Sequence, residues 1–225
     1  TSKDELAAAF HYAREFSRSG HVIVEEFLEG DEFSVEVLAQ GRCQIVAITQ
    51  KTTVGETGRF FVEECHVVPA ELTNEQDDRI RQVVNAAILA VGMDNCPSHT
   101  EIMVTEEGPV VIEIAARLGG DFITSDLVPL ATGVDMLENL IRISLGEIID
   151  HTPKWHRFAG IRFLTPENYN RASAKLDKLR NDYSLIKFER KDFDGRMQLR
   201  SSFDRLGYWI CCAGSRQELI QKLNY

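Results

Sequence analysis

No run of eighteen apolar residues occurs in this chain of 225, so nothing in it has the length a membrane-spanning helix needs. The opening TSKDELAAAF lacks the apolar core of a secretory signal. Cysteine is sparse: Cys43, Cys65, Cys96, Cys211 and Cys212 show no CxxC spacing and no paired-histidine motif, which argues against a zinc or thioredoxin-like site. An odd count without a signal favours reduced thiols over a disulfide framework. Internal repeats and low-complexity tracts are absent too, which excludes solenoid and linker-like chains. A soluble, cytoplasmic protein is the expectation.

Present instead is ordinary globular chemistry, with 44% apolar and 27% charged residues. The length suits one large domain, or one domain and a smaller companion. The net charge of −10 is unevenly spread: residues 1–150 carry 10 Lys+Arg against 27 Asp+Glu, and residues 151–225 carry 15 against 8. This split, together with the break at His151-Thr152-Pro153, puts a boundary near residue 150, with electrostatic attraction between the two parts. The basic tail has dispersed charges without interleaved aromatics, so neither nucleic acid nor a membrane is expected as a partner.

Periodicity sets out the elements. Residues 3–19 read as a helix capped by Ser2 and Glu5, with Leu6, Phe10, Ala13 and Phe16 on its apolar face. HVIVEEFLEG reads as a strand leading into an acidic hinge, and DEFSVEVLAQ alternates like a half-buried strand. Gln40-Gly41 turns the chain into a partner strand, Cys43 to Thr49. A polar, glycine-containing loop (51–59) follows, and then a strand from Phe60 to Val68. Thr73 and Gln76 open a helix to about Val91, with Ile80, Val83, Val84, Ala87 and Leu89 near its apolar face. One or two helices span 122–145. The tail offers strands at 158–164, 184–190 and 207–213, a helix at 167–181, and a last helix with a capping box of Ser215 and Glu218.

The most telling segment is HTEIMVTEEGPVVIEIAARLGGD, from His99 to Asp121. Glu106-Glu107-Gly108 forms a turn between two apolar runs, and a hairpin symmetric about Glu107 sets Glu101 directly opposite Glu113. Opposed like charges destabilise a sheet. A divalent cation between them removes that penalty, and carboxylate oxygens suit Mg²⁺. Arg117 continues the face of Glu113. Two acids for a metal beside an arginine make a site for handling phosphate, whereas a solvated hairpin with one ion pair is the bland alternative.

With VIVEEFLEGDEFSVEVL (22–38), this hairpin, and LATGVDMLENLIRISLGE (130–147) in that order, the chain resembles the ATP-grasp superfamily over roughly residues 1–150. Its nearest variant is the L-amino-acid ligase group of carboxylate–amine ligases, to which the RLGGD loop is similar. The resemblance implies an α+β fold: part of an ATP-grasp domain, an antiparallel sheet with flanking helices, plus a small α/β C-terminal domain at 151–225. It implies that Glu25, Glu26, Phe27 and Leu28 form the hinge against adenine, chiefly through backbone groups of Glu26 and Leu28. Glu32 would accept from ribose hydroxyls, Glu101 and Glu113 would hold Mg²⁺ (or Mn²⁺), and Arg117 would steady the transferred phosphate. The implied reaction is ADP-forming, through an acyl-phosphate that an amine attacks, with small-molecule carboxylate and amine substrates. The alternatives are a bicarbonate-phosphorylating enzyme like biotin carboxylase or carbamoyl-phosphate synthetase, and a nucleotide-binding module without catalysis.

Two departures stand out. Ala115 occupies the position where the family usually has a metal-ligating Asn. The preceding strand and glycine-rich loop, whose lysines clamp phosphates, are expected upstream of Thr1. The chain therefore reads as an incomplete piece, inactive alone, with either the missing N-terminal part or a second copy as partner. Lys51 and Arg59 read equally as phosphate-approaching or solvated charges, His99 as cleft-facing or buried, and His66 as structural or surface. Gly119-Gly120 reads as an anion cradle or a tight turn.

Overall fold

Alternation governs the strand Asp31–Ala39 (β1), but not in the way a half-buried strand behaves: Phe33 through Ala39 are all buried. The structure, a computed structural model, describes residues 2–54 and 61–225. Within it β1 is flanked on both edges, by Cys43–Val54 (β2) and by Cys96–Thr105 (β4). Its apolar face, Phe33, Val35 and Val37, packs with Ile48 and Ile102 under the helix Asn74–Ala90 (α2). Its other face carries Ser34, Glu36 and Leu38, and there the polar side chains meet protein instead of water.

Among the described residues the sheet has eight strands in the order β5-β4-β1-β2-β3-β6-β8-β7, every neighbouring pair antiparallel. The remaining strands are β3 (Val62–Val68), β5 (Gly108–Ala115), β6 (Phe158–Leu164), β7 (Leu185–Arg190) and β8 (Gly207–Ala213). Because β3 pairs with β6, the sheet runs unbroken across residue 150. Below it, a π-helical turn at Ile123–Leu127, α3 (Val128–Thr132) and α4 (Met136–Ser144) pack on Leu38, Val68, Ile161 and Ile210. Helices α5 (Tyr169–Leu179) and α6 (Arg216–Leu223) cover Cys65, Val67, Trp209 and Cys211.

The charge asymmetry has a structural counterpart. Among the described residues, five ion pairs join the tail to earlier residues: Arg162–Glu64, Lys187–Asp126, Arg205–Glu63, Arg205–Asp121 and Arg216–Glu71. In each, the cation comes from the tail and the acid from the first 150 residues.

Several expectations need correction. Residues 21–30 form no strand and have no ladder partner among the described residues. Helix α1 is Lys3–Phe16, with the Ser2–Glu5 capping box in place, yet none of its residues is buried. In α2 the core face is Ile80, Val84 and Ile88, an i, i+4, i+8 stripe that leaves Leu89 exposed. Strand β2 runs on to Val54 instead of ending at Thr49. Of the loop expected at 51–59, residues 51–54 are strand; Gly55, Gly58 and Arg59 lie outside the described residues, as does Phe60. Helix α5 is shorter than 167–181, and at α6 Ser215 accepts from the Glu218 N–H without the reciprocal bond among the described residues.

Candidate functional site

Cross-strand register assembles the site. Antiparallel partners share a face, so Ser34 lies beside both Thr49 and Glu101, Glu36 lies beside His99, and Lys51 lies beside His66. One face of four adjacent strands thus gathers Glu32, Ser34, Glu36, Lys51, His66, His99 and Glu101. On β5, Glu113 is the partner of Glu101 and Ala115 the partner of His99.

The pairing of Glu101 with Glu113 arises differently from the expected symmetry. The turn is closed by Thr105 and Gly108, so an unbroken ladder would set Glu101 opposite Ile112. A bulge between Glu101 and Ile102 takes up one extra residue and brings Glu113 into place instead. Beside it, Arg117 Nη2 lies 3.9 Å from Glu113, and Arg117 Nη1 donates to the Leu118 carbonyl. Glu113 and Arg117 are both more than half exposed.

Glu101 turns inward. Lys51 Nζ donates to it at 2.9 Å, lies 2.5 Å from Glu32 and sits 3.7 Å from Glu63. Burial alone would lower the Lys51 pKa, but Glu101 and Glu32 outweigh it and raise it, so the ammonium stays charged. His99 Nδ1 meets the fully buried Glu36 at 2.6 Å, and its Nε2 stands 3.6 Å from Glu101. For His99 too, burial opposes the charge, and the Glu101 and Glu36 carboxylates overcome it, pushing the ring up to about 9. The Glu101 carboxyl is correspondingly held down to about 2, first by His99 and, against burial, by Lys51.

The RLGGD loop is tied to the same pair. The Gly119 N–H donates to Glu36 Oε2, and a Cβ at Gly119 would come within 2.7 Å of both Glu36 Oε1 and His99 Nδ1. Glycine is required there by that close approach. Gly119→Ala is therefore expected to cost about 1–3 kcal/mol by overpacking, read as a lowered midpoint in chemical denaturation. After it, Asp121 and Phe122 both hold left-handed backbone (φ 49° and 63°), a strained turn of the sort found at ligand sites. Asp121 meets His66 Nε2 at 3.4 Å and the Arg205 guanidinium at 2.8 Å.

Two cavities adjoin these groups. One, of ≈ 160 Å³, is walled by Lys51, Glu63, His66, His99, Glu101, Arg117 and Asp121, among others. The buried Ser34 Oγ and His66 Nδ1 in its wall have no hydrogen-bond partner among the described residues. The second, of ≈ 560 Å³, lies between the hinge residues Glu25–Leu28 and the apolar side chains Phe61, Met103, Val110 and Ile112, with Glu32 on its rim. All five expected nucleotide residues (Glu25, Glu26, Phe27, Leu28 and Glu32) thus line one slot, and Glu32 connects that slot to Lys51, which also holds Glu101.

With this geometry in view, the comparisons are informative: residues 2–126 match the ATP-grasp domain. The chain belongs to the ATP-grasp family. Alanine–anticapsin ligase of Bacillus subtilis is 31% identical over 135 residues, which is 54% of this chain and 28% of that protein. Protein y4rH of Sinorhizobium fredii is 33% identical over 146 residues, 65% of this chain and 29% of that one. Among solved structures, an L-amino acid ligase from Bacillus licheniformis superposes with a TM-score of 0.78 at 22% identity, over 98% of this chain and 58% of that one. The ATP-grasp chain described here spans under a third of the length of these two curated relatives.

Sequence reasoning left several residues of this candidate site unmarked. Glu36, Glu63, Asp121 and Arg205 were not singled out, and His66 was assigned a structural or surface place. The one available signal was the polar phase of β1: Ser34 and Glu36 alternate with Phe33, Val35 and Val37. Among the described residues, no group of three or more His, Cys, Asp or Glu is arranged to hold a metal ion. Glu101 and Glu113 as register partners are a two-carboxylate set. That fits Mg²⁺, which usually takes one or two carboxylates and completes its shell with phosphate and water. No helix among the described residues is long and apolar enough to cross a membrane.

Proposed function

We propose that this chain is the nucleotide- and metal-binding part of an ATP-dependent carboxylate–amine ligase, ADP-forming through an acyl-phosphate. The observation that carries the reading is the apolar slot at the hinge, joined through Glu32 to the Lys51–Glu101 cluster. Adenine would lie against Phe27, Met103 and Ile112, with unpaired hinge backbone at Glu26 and Leu28 offering it hydrogen bonds. Glu32 would reach the ribose and Arg117 the transferred phosphoryl group. Glu101 and Glu113 would hold Mg²⁺ or Mn²⁺, which supplies charge neutralisation for phosphoryl transfer when bound. Phosphoryl transfer asks the protein for positioning and electrostatics more than for covalent chemistry, and a rigid charged wall meets that need.

The printed names of the relatives, alanine–anticapsin ligase and L-amino acid ligase, support small-molecule carboxylate and amine substrates. The part beyond residue 150 closes the cleft from one side in this reading. A cytoplasmic setting accords with five free cysteines, whose thiols burial pushes upward in pKa, Cys65 to about 11 and Cys211 to about 12.

Calorimetry of the full-length protein with Mg-ATP, followed by an assay of ADP release across amino-acid pairs, tests the proposal. Saturable ATP binding with amino-acid-dependent ADP release is expected. ATP binding without ADP release for any carboxylate and amine would favour a non-catalytic nucleotide module instead.

A further inference from the structure

Arg205 comes from the far end of the chain, on the loop that follows a short 3₁₀ turn at Ser202–Asp204. Its side chain is 8% exposed, and it reaches two acids that wall the smaller cavity. Nη1 donates to Asp121 at 2.8 Å; Nη2 donates to Glu63 at 2.7 Å and to Ser202 Oγ at 2.9 Å. The guanidinium carbon lies over the Phe163 ring, 3.9 Å from its centroid. Arg205 itself does not line the cavity. Through its two carboxylates it controls what does: Asp121 pairs with His66, and Glu63 stands 3.7 Å from Lys51.

We infer that Arg205 is a positioning residue for the substrate side of the site, acting through Asp121, Glu63 and His66. This rests on the ligase reading. The geometry needs an arginine: one fork bridges two carboxylates from different elements, and ring stacking fixes its plane, neither of which a lysine point charge reproduces. Asp121 sits in the left-handed turn after Gly120, so its clamp also fixes the loop that begins at Arg117. The nucleotide slot contains neither Asp121 nor Glu63, so Arg205 holds none of the side chains that line it; the nearest link runs through two further ion pairs, Glu63–Lys51 and Lys51–Glu32. The tail thus holds two wall residues of the cavity, Asp121 and Glu63, from behind.

The test is steady-state kinetics of the full-length protein carrying Arg205→Met, with Arg205→Lys in parallel, and calorimetry of each with Mg-ATP. Displacing positioning groups by about an ångström costs up to roughly 100-fold. For Arg205→Met the expected result is a KM for the carboxylate or amine substrate raised roughly tenfold or more, by the same argument. Mg-ATP affinity stays unchanged, and Arg205→Lys recovers only part of the loss. Should Arg205→Met fail to fold, Arg205→Lys alone decides, by a raised substrate KM at unaltered ATP affinity. An unchanged substrate KM, or an ATP affinity that falls in step with it, overturns this inference. Absence of ADP release by the unmodified protein overturns the ligase reading itself, and this inference with it.

Discussion

Glu113→Gln in the full-length protein is expected to cut amino-acid-dependent ADP release by roughly 100-fold or more, on the scale of losing one preorganised charge-stabilising group, while leaving the fold intact. The two halves of this expectation have separate causes. Glu113 is more than half exposed, and its one ion pair, with Arg117 at 3.9 Å, is exposed as well. Such pairs contribute at most about 1 kcal/mol, and glutamine keeps the volume, the β5 backbone and the bulge that sets the register. Carboxylate charge is what disappears, at the position directly opposite Glu101. If a divalent ion is shared by these two residues, halving its carboxylate set weakens both its binding and the neutralisation of the phosphoryl group in flight. Thermal unfolding should superpose on that of the unmodified protein within a degree or two. Turnover within threefold of the unmodified protein would remove Glu113 from the metal site and reduce the hairpin to a solvated ion pair.

Legibility in the sequence followed the type of interaction. Elements set by local chemistry read through cleanly: the Ser2 and Thr73 capping boxes and strands β6 and β8. The turn was placed at Glu106-Glu107-Gly108 but centred half a residue too late, since the hairpin closes at Thr105 and Gly108. The Glu101–Glu113 pairing was also legible, although its cause was not. Turn symmetry alone leads to Ile112, and the bulge that corrects it leaves no composition signal. Residues 21–30 were misread because β-branched, apolar composition is only a preference for a pleated surface. A strand exists when a neighbour completes its hydrogen bonds, and among the described residues none does.

The buried network was hidden for a different reason. Glu36 looks like the solvent phase of an alternating strand, and only the placement of β1 between β2 and β4, with helices over both faces, buries it. Arg205 is linked to Asp121 across 84 positions and to Glu63 across 142, a separation no local pattern encodes. What the sequence did carry was the charge split between the two parts of the chain. Among the described residues, the five ion pairs that cross residue 150 all follow its direction.

Glu36→Ala is expected to be the most destabilising single change in this site, by about 3–5 kcal/mol, the usual cost of removing one partner from a buried ion pair. The deletion strands His99, whose ring is buried and whose Nδ1 loses a 2.6 Å contact, and it frees the Gly119 N–H that anchors the RLGGD loop. For a chain of this size that amounts to a midpoint lower by roughly 6–20 °C. Glu36→Gln separates charge from shape, because it keeps a hydrogen-bonding group while removing the counter-ion. The pH dependence follows from linkage. His99 titrates from 6.5 when unfolded to about 9 when folded, so its stabilisation is complete below about pH 6.5 and is lost as pH rises through 9. Glu101, held down to about 2, contributes the opposite way: its share is complete above about 4.5 and is lost as pH falls through 2. Denaturant midpoints of the unmodified protein, measured without divalent metal, should therefore decline between pH 7 and 9. In Glu36→Gln that decline should flatten, since only the Glu101 carboxylate remains to hold the His99 proton. Equal slopes in the two proteins would show that the Glu36–His99 contact is neutral. The site would then be held by shape and hydrogen bonding alone.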